Sequence, residues 1–333
     1  MRPLCILIVT AELLAAQPRA GWVKGKGYGW IWGRDDEVGA LNAVTSPAQV
    51  LRALREVKTG KVYDLGVRID QASYKWPGHS PTQIISYRSP EGVKRGADIG
   101  AFAKHPKGMA FHSCALFISD NVGTQIDGLG HITTGADDHW YNGYRERDWG
   151  GDFGIRKADA DHIPPIVARA VLIDVAGWRG VDALPANFAI GPKELQAALA
   201  AQKTDVEPGD VVLIRTGTLR YWGETGADHA KIAQHDSAGL TLEGAKWLVG
   251  QKGAVFIGGD TSGLEVGVDP SLPAGTANPV HEYLLIEQGV HIGEFHYLEG
   301  LARDKVYRFV YVAMTNRLKG TVAGTALRPI AIQ

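Results

Sequence analysis

The segment Ile118–His131 carries the densest set of side chains that could do chemistry. If this segment is extended, its odd-numbered side chains lie on one face. That face carries two amides, a carboxylate and an imidazole, from Asn121, Gln125, Asp127 and His131. Such a set could bind a cation or transfer a proton, and the glycines of the segment would let a ligand approach the backbone. The alternative interpretation is the polar face of a surface strand.

A second polar pair interrupts an apolar run late in the chain. The face that carries Ile292 also carries Glu294 and His296. A carboxylate on an apolar face must be paired, protonated or bound to a metal, because burying an isolated charge is prohibitive. His281, at the start of a helix predicted over 280–288, is the candidate partner for Glu294. The alternative is a buried hydrogen bond between Glu and His with a structural purpose alone.

Candidates for substrate contact lie at a strand end and among aromatic residues. Asp260 follows two glycines at the end of a predicted buried strand, where α/β proteins usually place their sites. The same carboxylate could instead cap the next turn. Trp76 and Trp140 are candidates for an apolar wall against an aromatic substrate, although most such side chains belong to the core.

Alternating strands and helices are predicted to position these groups. Fully buried strands are indicated by short apolar runs over 170–175, 211–214 and 254–258. Helices are predicted from Pro47 to Val57, from Pro192, from Thr241 and over 280–288. The Pro- and Gly-rich segment 71–110 is predicted to form long surface loops. This alternation favours the α/β class.

Composition and charge exclude several classes of function. Of the 333 residues, 45% are hydrophobic and 21% are charged, which suits a large buried core and not a disordered chain. The 35 Lys and Arg residues against 36 Asp and Glu residues leave a formal net charge of -1 without a long block of like charge. Neither a nucleic acid nor a membrane surface is therefore an expected partner. The 2 cysteines indicate neither a disulfide framework nor a Cys-based zinc site.

An apolar run near the N-terminus bears on localisation. Residues 1–20 have the shape of a possible signal peptide, with an apolar stretch from Leu4 to Ala16 that Glu12 interrupts. A cleaved leader would make the protein periplasmic or secreted, and otherwise it would be cytoplasmic. A first helix or a misassigned start codon is the alternative. Residues 21–333 are predicted to form a single catalytic domain with an N-terminal extension.

Taken together, these residues resemble the cyclase family of metal-dependent hydrolases, which includes bacterial arylformamidases and isatin hydrolases. That family carries His-x-Gly-Thr-His-x-Asp-x-Pro-x-His, where this chain has Asn121-Val122-Gly123-Thr124-Gln125-Ile126-Asp127-Gly128-Leu129-Gly130-His131. Asn121 and Gln125 replace the two leading histidines of the motif, and Leu129 replaces its proline. The segments 32–42, 209–217 and 318–331 resemble further family signatures, so the resemblance covers roughly residues 30–333.

The resemblance implies a divalent metal, zinc or manganese, and a homodimer or homotetramer. It implies an α/β fold with a mixed β-sheet or barrel core flanked by helices, of the swivelling β/α type. It further implies that Asp127, His281 and Glu294 are metal ligands and that His131 is the general acid/base. Gln125 and Asn121 would supply amide oxygens, which are weaker ligands than imidazole and suit harder ions such as Mn²⁺, Mg²⁺ or Ca²⁺.

These expectations lead to one main hypothesis and two alternatives. The main hypothesis is an arylformamidase-like amidase or lactone hydrolase that opens a small cyclic or aryl substrate. It would use a metal-activated water with His131 as general acid/base, and Trp76, Trp140 and Asp260 would contact the substrate. The first alternative is a metal-free cyclase, isomerase or lyase that uses His131 and Asp127 as acid and base. The second is a non-catalytic protein that binds a small ligand.

Overall fold

Short strands supply most of the framework around the predicted site. The computed structural model describes residues 21–80, 82–96, 99–223, 228–325 and 327–333. The possible signal peptide over 1–20 lies outside these described residues. The strands are β1 (Val62–Asp64), β2 (Gln83–Arg88), β3 (Ser113–Phe117), β4 (Gln125–Asp127), β5 (Ile166–Asp174), β6 (Ala189–Ile190), β7 (Val211–Arg215), β8 (Gly239–Leu240), β9 (Phe256–Gly259), β10 (His291–Glu294), β11 (Arg308–Ala313), β12 (Ala323–Gly324) and β13 (Ile330–Ile332).

A mixed sheet forms the centre of the protein. Within the described residues it contains nine strands, in the order β1-β13-β11-β5-β7-β9-β10-β4-β12. The strands β5, β7, β9 and β10 are parallel to their neighbours in this series. On either side, β11 pairs with β5 and β4 pairs with β10 in antiparallel fashion. The sheet curls into a half-barrel flanked by helices, which confirms the predicted α/β class with a mixed sheet.

Three of the parallel strands are the short apolar runs of the sequence. Nearly all of β5 and every residue of β7 and β9 are buried. The register joins Ala170 to Val211 and Val211 to Phe256, so apolar side chains of neighbouring strands lie side by side. Both faces of these strands are covered, which explains why their sequences are continuous apolar runs without alternation. The prediction of fully buried strands is confirmed.

Short helices surround the sheet. They are α1 (Pro47–Leu54), α2 (Pro90–Gly96), α3 (Gly100–Ala103), α4 (Glu146–Trp149), α5 (Val175–Arg179), α6 (Pro192–Gln202), α7 (His229–His235), α8 (Leu242–Lys246), α9 (Pro279–His281) and α10 (Glu299–Arg303). Turns of π-helix extend α8 over Trp247–Gln251 and α9 over Glu282–Glu287. Turns of 3₁₀-helix cover Gly39–Val44, Tyr141–Gly143, Ala160–His162 and Thr218–Tyr221. Among the helices of the described residues, none combines the length and apolar character needed to cross a bilayer.

The helix starts follow the capping signals of the sequence. The Ser46 side chain accepts a hydrogen bond from Gln49 N at the start of α1, and Thr241 does the same for Gly244 N at the start of α8. Such caps satisfy backbone N–H groups that have no partner inside the helix. The predicted helix starts at these positions are confirmed.

The helix that carries His281 ends at a glycine. Gly289 has a φ of +62°, and a Cβ atom at this position would lie 2.5 Å from the Tyr141 ring. The Gly289 carbonyl accepts a hydrogen bond from Ala40 N at 2.8 Å. Asp36 in turn accepts a hydrogen bond of 2.7 Å from the Tyr141 hydroxyl. These contacts fix the end of the helix against the N-terminal segment, and the helix predicted over 280–288 is confirmed.

The segment 71–110, predicted as surface loops, contains regular structure. The strand β2 lies in this segment and forms an antiparallel ribbon with β3, in which Ile84 pairs with Leu116. The helices α2 and α3 also lie in this segment. The loop prediction is therefore wrong for these elements. The partner strand of β2 lies outside the segment, and such a long-range pairing leaves no local signal in the sequence.

Candidate metal centre and substrate cleft

A buried cluster of carboxylate and amide groups lies where β4 and β10 pair. The antiparallel register places Gln125 directly opposite Glu294. Gln125 Nε2 donates to Glu294 Oε2 at 2.6 Å and to Asp127 Oδ1 at 3.1 Å. All three side chains are buried. The pairing of the two strands therefore brings together carboxylates that lie far apart in the sequence.

Asn121 reaches the same cluster from a turn. Only Gln125–Asp127 forms a strand, so the extended conformation considered for Ile118–His131 is wrong over most of that segment. Gly123 adopts a φ of +63°, a conformation that favours glycine, and turns the chain before the strand. Asn121 Nδ2 then donates to Asp127 Oδ1 at 3.0 Å. The predicted side chains converge, but a turn and not strand alternation brings Asn121 to the others.

The two amides at the positions of the motif histidines hold the carboxylates in place. Both Asn121 and Gln125 donate their N–H groups to Asp127 Oδ1. An amide N–H group cannot bind a cation, because it has no free lone pair. In this geometry the two residues orient a carboxylate. Gln125 Oε1 remains buried with no hydrogen-bond partner among the described residues.

His281 enters the cluster from the first turn of its helix. Its Nε2 atom lies 3.7 Å from Asp127 Oδ2 and 3.7 Å from Glu294 Oε1. Its Nδ1 atom contacts Glu265 Oε1, and the other oxygen of that carboxylate accepts a hydrogen bond of 3.1 Å from Val280 N. The structure therefore brings His281 to Glu294, as the sequence pattern suggests, and adds Asp127 and Glu265 as neighbours.

The charges of this cluster are strongly coupled because water is excluded. Burial disfavours the His281 imidazolium, but the contacts with Glu265 and Glu294, together with the charges of Glu265 and Asp127, raise the pKa of His281 to about 10. Burial and then the charge of Asp127 raise the pKa of Glu294 well above its ordinary value, and His281 partly offsets this. The metal-free cluster therefore holds protons that a bound cation would displace.

His131 lies beside Asp127 and His281. Its ring centroid lies 6.2 Å from that of His281. Candidate ligand atoms of Asp127, His131 and His281 all lie within 4.8 Å of one another. Asp127 Oδ2 and His131 Nδ1, like Gln125 Oε1, are buried without a hydrogen-bond partner in the part of the chain that the structure describes. Buried polar atoms normally have partners, so an unpaired Asp127 oxygen beside two imidazole rings fits a site that binds a metal.

A cleft of about 940 Å³ opens beside this cluster. It is lined by His131, His281 and Glu294 together with Tyr74, Trp76, His79, Asp236, Ser262 and Glu265. Ligand pockets in proteins span roughly 300 to 1,000 Å³, so the cleft has room for a small aromatic molecule. Glu294 is the last residue of β10, and Ser262 closely follows β9. The cleft therefore lies at the carboxyl ends of parallel strands, where α/β proteins bind ligands.

His79 is a cleft residue that sequence reasoning missed. Its Nδ1 atom lies 3.0 Å from the Asn121 carbonyl oxygen. A carbonyl only accepts hydrogen bonds, so Nδ1 carries the proton and Nε2 keeps its lone pair in the neutral ring. Burial lowers the pKa of His79, which favours this neutral form. The predicted residue Trp76 is adjacent, with its ring centroid 5.5 Å from that of His79. No periodic pattern marks His79 in the sequence.

Asp236 ties two loops together across the cleft and was also missed. Its carboxylate accepts hydrogen bonds from Ser262 N at 2.8 Å and from the Tyr74 hydroxyl at 3.3 Å. It also contacts Ser262 Oγ. Burial raises the pKa of Asp236, while its hydrogen bonds act in the opposite direction. These contacts join segments that are distant in sequence, so no local motif could have found them.

Two predicted substrate contacts lie away from the cleft lining. Asp260 is fully buried and accepts hydrogen bonds from Thr216 N at 2.7 Å and Gly217 N at 2.8 Å. Trp140 is also fully buried, and its indole nitrogen donates to Lys157 O at 3.1 Å. Asp260 therefore holds the turn after β7, and Trp140 packs in the core. For both residues the structure favours the structural interpretation over substrate contact.

His296 points away from the cluster. Phe295 has a φ of +49°, so the alternation of β10 breaks directly after Glu294. His296 Nε2 lies 2.8 Å from the Tyr311 hydroxyl, and both side chains are buried. The shared face predicted for Glu294 and His296 is therefore wrong, because a left-handed residue separates them.

Comparison with known proteins agrees with this fold and motif. The model of the Cyclase family matches residues 63–266, more than half of the chain, so the protein belongs to this family. The resemblance seen in the sequence is confirmed. The matched range includes Asp127 and His131, whereas His281 and Glu294 lie beyond its end. Comparison with the curated proteins finds no match.

Solved structures of similar fold include a novel cyclase that is 28% identical, with a TM-score of 0.76 over 92% of this chain and 99% of that chain. Isatin hydrolase A from Ralstonia solanacearum is 22% identical, with a TM-score of 0.57 over 86% of this chain and 98% of its own. Isatin hydrolase A from Labrenzia aggregata, bound to benzyl benzoate, is 19% identical, with a TM-score of 0.55 over 81% and 93%. The chain thus shares the fold of cyclase-family structures, and hydrolases are among them.

Proposed function

We propose that the protein is a metal-dependent hydrolase that opens a small cyclic or aryl amide, or a lactone. The observation that carries the proposal is the buried cluster of Asp127, His281 and Glu294, which adjoins a cleft of about 940 Å³. The isatin hydrolases of similar fold support this reaction class, since isatin is a small cyclic amide fused to an aromatic ring.

The metal would be held by Asp127 Oδ2, His281 Nε2 and Glu294 Oε1. Two carboxylates and one imidazole suit manganese or zinc. When bound, such an ion lowers the pKa of a water molecule and polarises a carbonyl group. Gln125 donates to both carboxylates and Asn121 donates to Asp127, so these amides keep the ligands in place.

His131 is the residue proposed to transfer the proton. Its imidazole lines the cleft, and its Nδ1 atom has no hydrogen-bond partner among the described residues. Imidazole is the side chain most often used for this task. His131 would accept a proton from the attacking water and return it to the leaving nitrogen or oxygen, so that the ring ends in the state in which it began.

Aromatic side chains on the opposite loops would hold the substrate ring. Tyr74 and Trp76 line the cleft, and Trp76 is half exposed to solvent. An apolar aromatic surface that is open to solvent in the free protein would gain contact area on binding a planar substrate. Trp76 is therefore the predicted aromatic residue that we propose as a substrate contact, whereas Trp140 lies in the core and Asp260 holds the turn after β7.

The proposal is tested by metal analysis and by turnover of a formanilide, isatin and a small aryl lactone. His131→Ala should retain the metal and lower kcat by about 10² to 10⁴, the usual contribution of a general acid/base. The matched control is His139→Ala, an imidazole outside the cleft lining that pairs with Asp137. Absence of metal, together with unchanged turnover in His131→Ala, would contradict the proposal.

A metal-free acid/base enzyme is the second candidate. The raised pKa values of His281 and Glu294 leave protons on the cluster when no cation is bound, which suits proton transfer by His131 and Asp127. Activity that survives exhaustive chelation would favour this candidate. A non-catalytic binding protein predicts instead that hydrolysis appears only in the double variant Asn121→His with Gln125→His.

A further inference from the structure

We propose that Glu265 is a positioning residue for His281, which determines that Nε2 and not Nδ1 faces Asp127 and Glu294. The inference rests on the proposed metal centre. Glu265 contacts His281 Nδ1 through its Oε1 atom, while His281 Nε2 lies 3.7 Å from each of the two cluster carboxylates. One imidazole ring therefore lies between three carboxylates, and each of its nitrogens has a different task.

The proton on the ring is assigned by the chemistry of its partner. An ionised carboxylate only accepts hydrogen bonds, so the nitrogen that contacts Glu265 must carry a proton. Nε2 is then the nitrogen that can offer a lone pair to a cation. The negative charge of Glu265 also makes that lone pair more basic. Metal-ligating histidines in proteins generally donate their second N–H group to such an outer partner.

The backbone around Glu265 is held on both sides. Leu240 N donates to Leu264 O at 2.9 Å, and Val266 N donates to Leu240 O at 3.0 Å. The Glu265 carboxylate also accepts a hydrogen bond from Val280 N, in the first turn of α9, at 3.1 Å. The Glu265 side chain is only 10% exposed. A paired segment thus fixes the carboxylate, and the carboxylate fixes both the ring and the backbone of the helix start.

A purely structural role for Glu265 makes a different prediction. The carboxylate also satisfies backbone N–H groups at the start of α9, as a helix cap does. If capping is its only task, removing its charge lowers thermal stability and leaves the chemistry of the His281 ring unchanged. The two roles can therefore be distinguished by measuring the protonation of the His281 ring nitrogens and the metal affinity.

The first measurement uses the unaltered protein and follows the ring nitrogens of His281 by ¹⁵N nuclear magnetic resonance, with Zn²⁺ alone as the probe. We expect a protonated Nδ1 before and after Zn²⁺ is added, and a shift of the Nε2 resonance on addition. A shift at Nδ1, or a metal-free ring without a proton on Nδ1, would overturn the proposal. This experiment does not depend on any variant folding.

The second measurement compares Zn²⁺ affinity in Glu265→Gln and in Asp269→Asn by competition with a chelator. Asp269 is a matched control, because its carboxylate also lines the cleft and accepts a backbone hydrogen bond, from Leu242 N at 3.0 Å. Glu265→Gln should weaken Zn²⁺ binding by about 10- to 100-fold, as loss of an outer partner usually does. Asp269→Asn should leave it close to that of the unaltered protein. Equal affinities in the two variants would overturn the proposal.

Repeating Glu265→Gln in the background of His281→Ala shows whether the effect passes through the ring. If Glu265 acts through His281, adding Glu265→Gln to His281→Ala has almost no further effect on Zn²⁺ affinity. An undiminished effect would reveal a general influence of charge and would overturn the proposal. If the unaltered protein binds no Zn²⁺, the proposed metal centre fails. In that case the protonation of Nδ1 in the unaltered protein and in Glu265→Gln still decides the role of Glu265.

Discussion

The two sides of the cleft are built differently. Behind one side lies a buried group on β4 and β10, here called the strand wall, which consists of Gln125, Asp127 and Glu294. Of these three residues, Glu294 lines the cleft. The other side, here called the loop wall, consists of Tyr74, Trp76 and His79. The strand wall is fixed by the register of two paired strands. The loop wall is held by isolated contacts, such as the hydrogen bond from the Tyr74 hydroxyl to Asp236 at 3.3 Å and the edge contact of the Tyr74 ring with Phe295.

This difference separates the proposed chemistry from the proposed recognition. Ligands of a metal must keep their geometry closely, and strand pairing with hydrogen bonds from amide groups provides it. Residues that contact a substrate vary more readily when they lie on loops that a rigid framework supports. Substitutions in the strand wall should therefore abolish chemistry, whereas those in the loop wall should change affinity for the substrate.

The largest effect is expected for Asp127→Asn in the strand wall. This change removes the carboxylate that accepts hydrogen bonds from Asn121 and Gln125 and lies 3.7 Å from His281 Nε2. Metal affinity should fall by more than the roughly 10- to 100-fold that loss of an outer partner costs, and turnover should fall with it. The measurement is metal content by elemental analysis, with Asp269→Asn as control. Full metal content in Asp127→Asn would show that the strand wall does not hold the ion.

A smaller and graded effect is expected from pH. The pKa of His281 is raised to about 10 in the metal-free protein, so this ring is protonated near neutral pH. A cation must displace that proton, and metal affinity should therefore rise with pH, by about 10-fold per pH unit for each proton released. Competition titrations between pH 6 and 8 check this slope. Affinity that falls or stays constant as pH rises would contradict the assignment of His281 as a ligand.

A third prediction concerns Trp76→Ala in the loop wall. Loss of the half-exposed indole should raise KM for an aromatic substrate by about 10-fold, equivalent to roughly 1.4 kcal/mol of contact. The metal content and kcat should stay close to those of the unaltered protein. Steady-state kinetics with isatin provide the measurement. A matched loss of kcat without a change in KM would place Trp76 in the chemical step and remove the contrast between the two walls.

The smallest effect is expected for Tyr74→Phe. This change deletes one hydroxyl, which donates a hydrogen bond to Asp236, and keeps the aromatic ring. The free energy of unfolding should fall by about 1 kcal/mol or less, the net value of a single hydrogen bond. Denaturant unfolding measures this change, and metal content serves as the internal control. A loss of bound metal would show that the loop wall shapes the metal centre after all.

The sequence predicts the strand wall far better than the loop wall. Apolar runs and a motif identify Asp127, and a carboxylate on an apolar face identifies Glu294, because burial leaves a local pattern. His79 and Glu265 leave no such pattern. Their partners, Asn121 and His281, lie 42 and 16 residues further along the chain, so only the folded structure brings them together.

Some predictions also failed where a local rule was correct but was applied over too long a segment. Alternation holds along β4 and β10, but Gly123 and Phe295, both with positive φ, end it on either side of the cluster. A single positive φ redirects every later side chain, and Phe295 gives no compositional warning of it. The side-chain chemistry of the site was therefore predictable from the sequence. The course of the backbone that positions those side chains was not.

The most direct test of the metal centre is the metal content of the unaltered protein, purified without chelator, together with its turnover of isatin and a formanilide before and after chelation. We predict about one divalent ion per chain, manganese or zinc, with turnover lost on chelation and restored by adding the ion back. A metal-free protein whose turnover survives exhaustive chelation would contradict the account.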